Sequence, residues 1–253
     1  GVFRIQTQLA AILGLPLSKV RVIGRYMGGG FGSKLAADKE TVIAALLARK
    51  TGRPVRLFLS REETTVAAGN RPPANMRLKA GVRSDGTLTA LDFSCVASGG
   101  AYPAGGTSGI DFQVKDLYRC PNVRTELADV HINACPSRPF RAPGHPQGAW
   151  ALEQMLDALA EAIGMDPVDL RLKNIPAFSQ SREGNPPYSS TRFRECLVEG
   201  ARAFGWQEAR ARIRTAAAGN WRRGVGMAGG MWQAGGGGGP ATIILKLFAD
   251  GSV

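Results

Sequence analysis

Ser84-Asp85-Gly86-Thr87 separates two alternating runs, NMRLKAGV (75–82) and LTALDFSCVAS (88–98). Asp-Gly supplies the conformational freedom a tight turn needs, and apolar residues at every second place give each flanking strand one face to bury. This β-hairpin is the strongest local commitment in the chain. Helical periodicity is as clear in AWALEQMLDALAEAIG (149–164), where Leu152, Met155, Leu156, Leu159 and Ile163 share one face and Gly164 ends the run. Asp166 and Pro167 then read as the N-cap and first-turn proline of a short helix reaching residue 174. A chain with both patterns is expected to be α+β, with mixed sheets and helices.

The same reading extends along the rest of the sequence. FRIQTQLAAIL (3–13) predicts a helix with Ile5, Leu9 and Ile12 on one face, closed by Gly14 and Pro16. KVRVIGRYM (19–27) predicts a strand, DKETVIAALLARKTG (38–52) a helix capped by Gly52, and PVRLFLS (54–60) another strand. TELADVHIN (125–133) is a further strand candidate. PAFSQSREGNPPYSST (176–191) reads as a linker. Beyond it come helices over 194–205 and 207–215, a loop at Gly235–Gly239 expected to be mobile, and a strand over 241–249. FADGSV looks like a hairpin whose second strand has only begun, so the chain reads as a piece of a longer polypeptide.

Composition excludes some functions. With 253 residues and 44% hydrophobic content the chain can bury a real core, as one large or two ordinary domains. No apolar run of about 18 residues is present, so no membrane span is expected, and no secretory signal is visible. The net charge of +12 suits nucleic acid, a phosphorylated cofactor or an acidic partner subunit. The basic residues form no block; Arg202, Arg210, Arg212, Arg214, Arg222 and Arg223 are interspersed with Glu and apolar residues, which makes nucleic acid the weakest of the three. Cys95, Cys120, Cys135 and Cys196 form no C-x-x-C pair, and neither His131 nor His145 lies near them in sequence. A zinc or iron–sulfur site made by this chain alone is therefore not expected. Scattered cysteines fit a reducing cytoplasm. The four tryptophans read as core or interface, and Trp232 as core.

The candidate chemistry lies in two side-chain-poor loops. MGGGFGSK (27–34) fails the Walker pattern, because Ser33 separates Gly32 from Lys34 and no Ser or Thr follows that lysine. It also fails G-x-G-x-x-G, since Ser33 stands where the third glycine belongs. Glycines here let consecutive amides approach a ligand, and amides ahead of a helix are good donors to anions. A turn around a core Phe satisfies the same pattern. PFRAPGHPQG (139–148) repeats the theme, with small residues beside one Arg and a helix following. Two such loops can converge on one ligand. His145, inside the second, either faces a pocket or stands in solvent.

Together, RYMGGGFGSK (25–34), KTGRPVRLFLSREE (50–63), CPNVRTELADVHIN (120–133), SRPFRAPGHPQG (137–148) and EAIGMDPVDLRLKNI (161–175) resemble the molybdopterin-binding large subunit of the molybdenum hydroxylases, the xanthine dehydrogenase and aldehyde oxidase family. The bacterial subunits with an R-A-P-G loop are the most similar in character. The resemblance covers roughly residues 1–175, and RRGVGMAGGMW and FADGSV look like the start of that family's second cofactor-binding domain. It implies a first cofactor-binding domain over 1–178, a linker over 179–191 and a truncated second domain over 192–253. It implies a molybdenum–molybdopterin cofactor, often carrying a cytosine dinucleotide in bacteria. The residues expected to hold it are Gly29, Gly30, Phe31, Gly32, Arg141 and Ala142, with Phe31 and Arg141 nearest the metal. A metal carried by the pterin needs no Cys or His from the protein. The activity implied is hydroxylation of a carbon with oxygen from water, electrons leaving to iron–sulfur clusters and FAD on partner subunits.

The family's catalytic glutamate is expected beyond Val253, so no catalytic residue is assigned, and residues 1–253 alone are expected to show no turnover. Glu40, Glu153 and Glu161 read as surface or capping residues. Leu35 stands where purine-oxidising members carry Glu, unless it simply packs at a helix start. Gly109 lies near the place of a substrate-binding Arg, and Pro143 replaces a stacking aromatic. With Leu35 and Pro143 in the substrate pocket, an aldehyde or an N-heteroaromatic is expected rather than xanthine. The alternatives are a non-catalytic binding or assembly domain retaining the fold, and a basic nucleic-acid-binding protein.

Overall fold

The computed structural model describes residues 1–102, 105–188, 190–215, 220–232 and 245–251. The Asp-Gly turn forms as the sequence dictates: Gly86 takes φ 87° and the Asp85 carboxylate accepts from the Thr87 amide at 2.9 Å. It joins β1 (Ala74–Val82) to β2 (Leu88–Ser98) in an antiparallel pair. The chain then crosses through α4 (Thr107–Asp116) to β3 (Val123–Val130), which lies parallel to β2 and completes a three-stranded sheet of order β1-β2-β3. α1 (Val2–Leu13), α2 (Lys39–Thr51) and α3 (Arg61–Ala67) precede the sheet. α5 (His145–Ile163), α6 (Pro167–Lys173), α7 (Phe193–Phe204) and α8 (Trp206–Thr215) follow it. The α+β expectation holds. No helix among the described residues is long and apolar enough to cross a membrane.

The core follows from the two periodicities. Leu91, Phe93, Cys95 and Ala97 alternate onto the buried face of β2. Ile110 and Val114 of α4 pack against the Phe93 end of that face, and Leu152, Leu156 and Ala160 of α5 against the Leu91 end. α4 and α5 approach closely because neither carries a Cβ at the contact: one on Gly148 would lie 2.5 Å from the Ile110 carbonyl oxygen, and one on Gly109 would lie 2.3 Å from the Pro143 carbonyl oxygen.

Glu153 corrects its reading as a surface or capping residue. It is buried on α5, pairs with the fully buried Arg171 at 2.9 Å and accepts from the Tyr118 hydroxyl at 2.7 Å. A carboxylate on the apolar side of an amphipathic helix is tolerated only when paired and hydrogen-bonded. Of the four tryptophans only Trp206 is core; Trp150, Trp221 and Trp232 are exposed, Trp232 by 58%.

Two predicted strands do not form. Residues 20–27 and 54–60 run without ladder partners, because alternation supplies a face to bury but not a neighbouring edge to bond. The expected strand over 241–249 is partly outside the described residues, and 245–248 carry no ladder. Gly235–Gly239 also lies outside them. Two helices are present where the sequence predicts none. Ser60 and Glu63 form a reciprocal capping box that starts α3, and Ile110, Val114 and Leu117 form a buried stripe along α4 and its C-cap. Residues 179–181 are fastened to the end of α4 by the Asp116 carboxylate, which accepts from the Ser179 hydroxyl at 2.6 Å and from the amides of Gln180 and Ser181 at 2.7 and 2.8 Å.

The hairpin turn carries a pH signature. The Thr87 amide, then its hydroxyl, hold the Asp85 carboxyl down to about 2. A carboxyl depressed in the fold stabilises it above the unfolded value near 4 and ceases to as pH falls through the folded one. NMR titration of the Asp85 carboxyl carbon is expected to give a midpoint near pH 2, and Thr87→Val is expected to raise it.

Candidate functional site

The first loop ends a few residues ahead of α2 and the second runs into the first turn of α5, and the structure brings them into direct contact. The Arg141 amide donates to the Phe31 carbonyl at 2.6 Å. Gly32 lies against Pro139 so closely that a Cβ on it would stand 2.5 Å from the Pro139 carbonyl oxygen. A second tie runs alongside: Arg138, just before the second loop, pairs at 2.8 Å with Asp38, just before α2. Asp38 therefore spends its carboxylate on Arg138 and makes no side-chain cap to its own helix.

The backbone at this contact is unusual. Phe31 and Ala142 adopt φ of 49° and 58°, and Gly32 and Gly144 take 107° and 80°. Left-handed backbone costs a non-glycine residue roughly 1–2 kcal/mol, and such outliers gather where a surface must be held in one shape. The peptide planes show what is held. In a trans peptide the carbonyl and the next residue's amide point in opposite directions. The Phe31 carbonyl is taken by Arg141, and the Arg141 carbonyl accepts from the Arg71 guanidinium at 2.8 Å. Both carbonyls are occupied on the protein side, and among the described residues the amides of Gly32 and Ala142 have no hydrogen-bond partner. The Arg141 amide, by contrast, is spent on Phe31, while among the described residues the Phe140, Ala142 and Gly144 amides of the second loop have no hydrogen-bond partner.

Pro143 and Gly109 come together: a Cβ on Gly109 would stand 2.3 Å from the Pro143 carbonyl oxygen. With Ser108, Phe112, His145 and Trp232 they line a cavity of about 320 Å³. His145 is half-buried at the start of α5, its ring centroid 5.5 Å from Phe112 and 4.4 Å from Trp232. Its Nδ1 lies 2.9 Å from the Pro143 carbonyl, which can only accept, so Nδ1 donates there, and Nε2 is buried without a hydrogen-bond partner. Trp232 is brought there by Gln113, whose buried amide pairs with both the carbonyl and the amide of Met231, at 2.6 and 3.2 Å. The Gly229 amide donates to Glu153 at 2.8 Å. Leu35 does not join this cavity. It sits in a bend shortly before α2, is 45% exposed and is not among the residues lining the Pro143 cavity.

Residues outside both motifs shape the site: Arg71, Gln113 and Glu153. Each works through a single long side chain reaching a distant backbone, and such a contact leaves no periodic trace in sequence. Among the described residues no group of three or more His, Cys, Asp or Glu side chains is placed to hold a metal. The donors available are peptide amides, which suit an anionic or oxygen-rich ligand.

Residues 1–175 match the family described as Molybdopterin cofactor-binding domain. The chain is 39% identical over 170 residues to the nicotinate dehydrogenase large molybdopterin subunit of Eubacterium barkeri, covering 66% of this chain and 40% of that protein. It is 34% identical over 227 residues to the aldehyde oxidoreductase molybdenum-binding subunit PaoC of Escherichia coli K12, covering 89% of this chain and 30% of that one. The solved structure of quinoline 2-oxidoreductase from Pseudomonas putida 86 superposes with a TM-score of 0.77 over 85% of this chain and 28% of its own, at 24% identity, which speaks to a shared fold. The chain thus spans less than half of the length of each of these proteins.

Proposed function

Since the chain belongs to the molybdopterin cofactor-binding domain family, we propose that it forms one wall of the cofactor pocket in an enzyme that hydroxylates an aldehyde or N-heteroaromatic carbon. The observation that carries this reading is the Phe31–Arg141 contact, which leaves the Gly32 and Ala142 amides as free donors on strained, fixed backbone. The residues fit the group the family name implies. A cofactor that brings its own metal ligands asks the protein for hydrogen-bond donors and room, and these loops offer amides and glycines. When bound, the molybdenum–molybdopterin cofactor supplies the oxygen-transfer and two-electron chemistry, with water as the oxygen source.

Within that reading Gly29, Gly30, Phe31, Gly32, Arg141 and Ala142 hold the cofactor, and Phe31 and Arg141 lie nearest the metal. Pro143 belongs to the substrate side, where the 320 Å³ cavity has room for a small planar molecule. Leu35, proposed with it for the substrate side, does not line that cavity. The cofactor takes its cytosine dinucleotide form, and iron–sulfur and FAD groups on partner subunits accept the electrons. Residues 1–178 form the first cofactor-binding domain, 179–191 the joint and 192–253 the start of the second. No base is assigned within 1–253, so this stretch alone is expected to be inactive. The compartment proposed is the cytoplasm, in keeping with four free cysteines.

The test is metal analysis and pterin fluorescence on the full-length subunit co-expressed with its partners. About one molybdenum and one pterin per subunit are expected, with faster turnover of aromatic aldehydes or N-heteroaromatics than of xanthine. A complex lacking both groups sinks the proposal. A complex that holds both and oxidises nothing supports the binding-module reading instead.

A further inference from the structure

Arg71 belongs to neither glycine-rich loop, yet it touches the second at four points. Its guanidinium donates to the Arg141 carbonyl at 2.8 Å, to the Ala142 carbonyl at 3.3 Å and to the Gln147 side-chain oxygen at 3.3 Å. It also lies 4.9 Å over the Phe140 ring. Gln147 returns the contact, donating to the Pro72 carbonyl at 3.2 Å. The segment carrying Arg71 is itself anchored. Asn70 bridges to Ser137, the Arg138 amide donates to the Asn70 carbonyl at 2.9 Å, and Pro72 packs where a Cβ on Gly106 would sit.

Resting on the cofactor-pocket reading above, we propose that Arg71 is a positioning residue for the molybdenum cofactor. By capturing the Arg141 and Ala142 carbonyls it fixes the Arg141–Ala142 peptide and so aims the Ala142 amide at the cofactor. Because that peptide is trans, holding its oxygen against Arg71 turns its N–H the opposite way. Two carbonyls on successive residues need two donors in a fixed fork. A guanidinium provides this and an ammonium does not. Capturing both oxygens also holds Ala142 in its left-handed conformation, which an untethered alanine would leave. The Phe140 ring under the guanidinium limits its sideways travel.

The test uses Arg71→Lys and Arg71→Ala in the full-length subunit co-expressed with its partners. The measurements are molybdenum per subunit, Tm, kcat and KM, the Mo(V) paramagnetic resonance spectrum, and hydrogen exchange across residues 139–148. Arg71→Lys is expected to keep its Tm and most of its molybdenum, because the charge and stem remain. Its kcat is expected to fall about 10- to 100-fold with KM changed less than about threefold, since a misplaced donor loses rate more than binding. The Mo(V) spectrum should shift and exchange across 139–148 should speed up. Arg71→Ala is expected to lose about tenfold or more in retained molybdenum, the scale of one lost charge-assisted hydrogen bond.

An unchanged kcat and Mo(V) spectrum in Arg71→Lys overturns the proposal. So does a loss of molybdenum that merely follows a fall in Tm, with a wild-type spectrum from the loaded fraction; Arg71 is then a structural tie. A wild-type complex with no molybdenum overturns the underlying reading itself and is seen before any variant is made.

Discussion

Replacing Glu153 with alanine is expected to destabilise the chain by about 3–5 kcal/mol, the usual cost of stranding one member of a buried ion pair. Arg171 is fully buried and relies on this carboxylate for its Nε contact at 2.9 Å. The Tyr118 hydroxyl and the Gly229 amide lose their acceptor at the same time. Asp157 still meets Arg171 at 2.8 Å, but its side chain is 41% exposed and cannot replace a desolvated partner. For a chain of this size the loss corresponds to roughly 10 °C in Tm. Glu153→Gln is expected to fall between, keeping the shape and an acceptor but not the charge. Replacing Glu153 and Arg171 together with methionine is expected to recover much of the loss, because no unpaired charge is left inside. Alkaline pH probes the same cluster. Burial, and then the Glu153 charge, push the Tyr118 phenol well above its ordinary range. The unfolded chain releases that proton near pH 10 and the folded chain keeps it, so stability falls as pH rises past about 10. Tyr118→Phe should flatten that limb. A Glu153→Ala protein melting within a degree of wild type would mean that Arg171 reaches water.

How much is legible in sequence depends on whether a feature is local. The Asp-Gly hairpin, the α5 stripe and the Asp166-Pro167 start of α6 are readable because turn chemistry and periodicity act over a few residues; Asp166 caps Val168 at 2.8 Å as that reading requires. The strand readings at 20–27 and 54–60 fail because a ladder needs a neighbour, and sequence alternation does not say whether one is present. α4 escapes the same reading although Ile110, Val114 and Leu117 carry its period, since Gly109 and the glycines before it look like loop. In the site, composition points to both glycine loops, and their contact through Phe31 and Arg141 is geometry that composition cannot supply. Glu153 reads as surface because one carboxylate on a helix is exposed far more often than buried. The partners that bury it, Tyr118 and Arg171, lie 35 and 18 residues away along the chain. Trp232 reads as core by its type, yet Gln113 holds the neighbouring backbone so that its ring covers His145 while remaining exposed.

Gly32→Ala is expected to empty the proposed cofactor pocket while leaving the sheet intact. A methyl group there meets the Pro139 carbonyl oxygen at 2.5 Å and its carbon at 2.8 Å. Both are backbone atoms, so no side chain can turn aside to relieve the overlap. The residue's φ of 107° also lies where an L side chain is strained. The chain's easiest relief is to part the two loops, and that breaks the 2.6 Å hydrogen bond from Arg141 to Phe31. Overpacking of this kind costs about 1–3 kcal/mol, and the same energy taken from binding lowers cofactor affinity by roughly 10- to 100-fold. Metal analysis of the co-expressed complex should therefore show most of the molybdenum gone, while far-ultraviolet circular dichroism changes little and Tm falls by only a few degrees per kcal/mol of overpacking. Gly52→Ala is the matched control. Gly52 also takes a positive φ, 64°, but a methyl there meets nothing within 4 Å. It is expected to lose about 1 kcal/mol of stability from backbone strain and to keep its full complement of metal. Equal molybdenum in the two variants would show that close approach of the loops does not hold the cofactor, whatever its contribution to the fold.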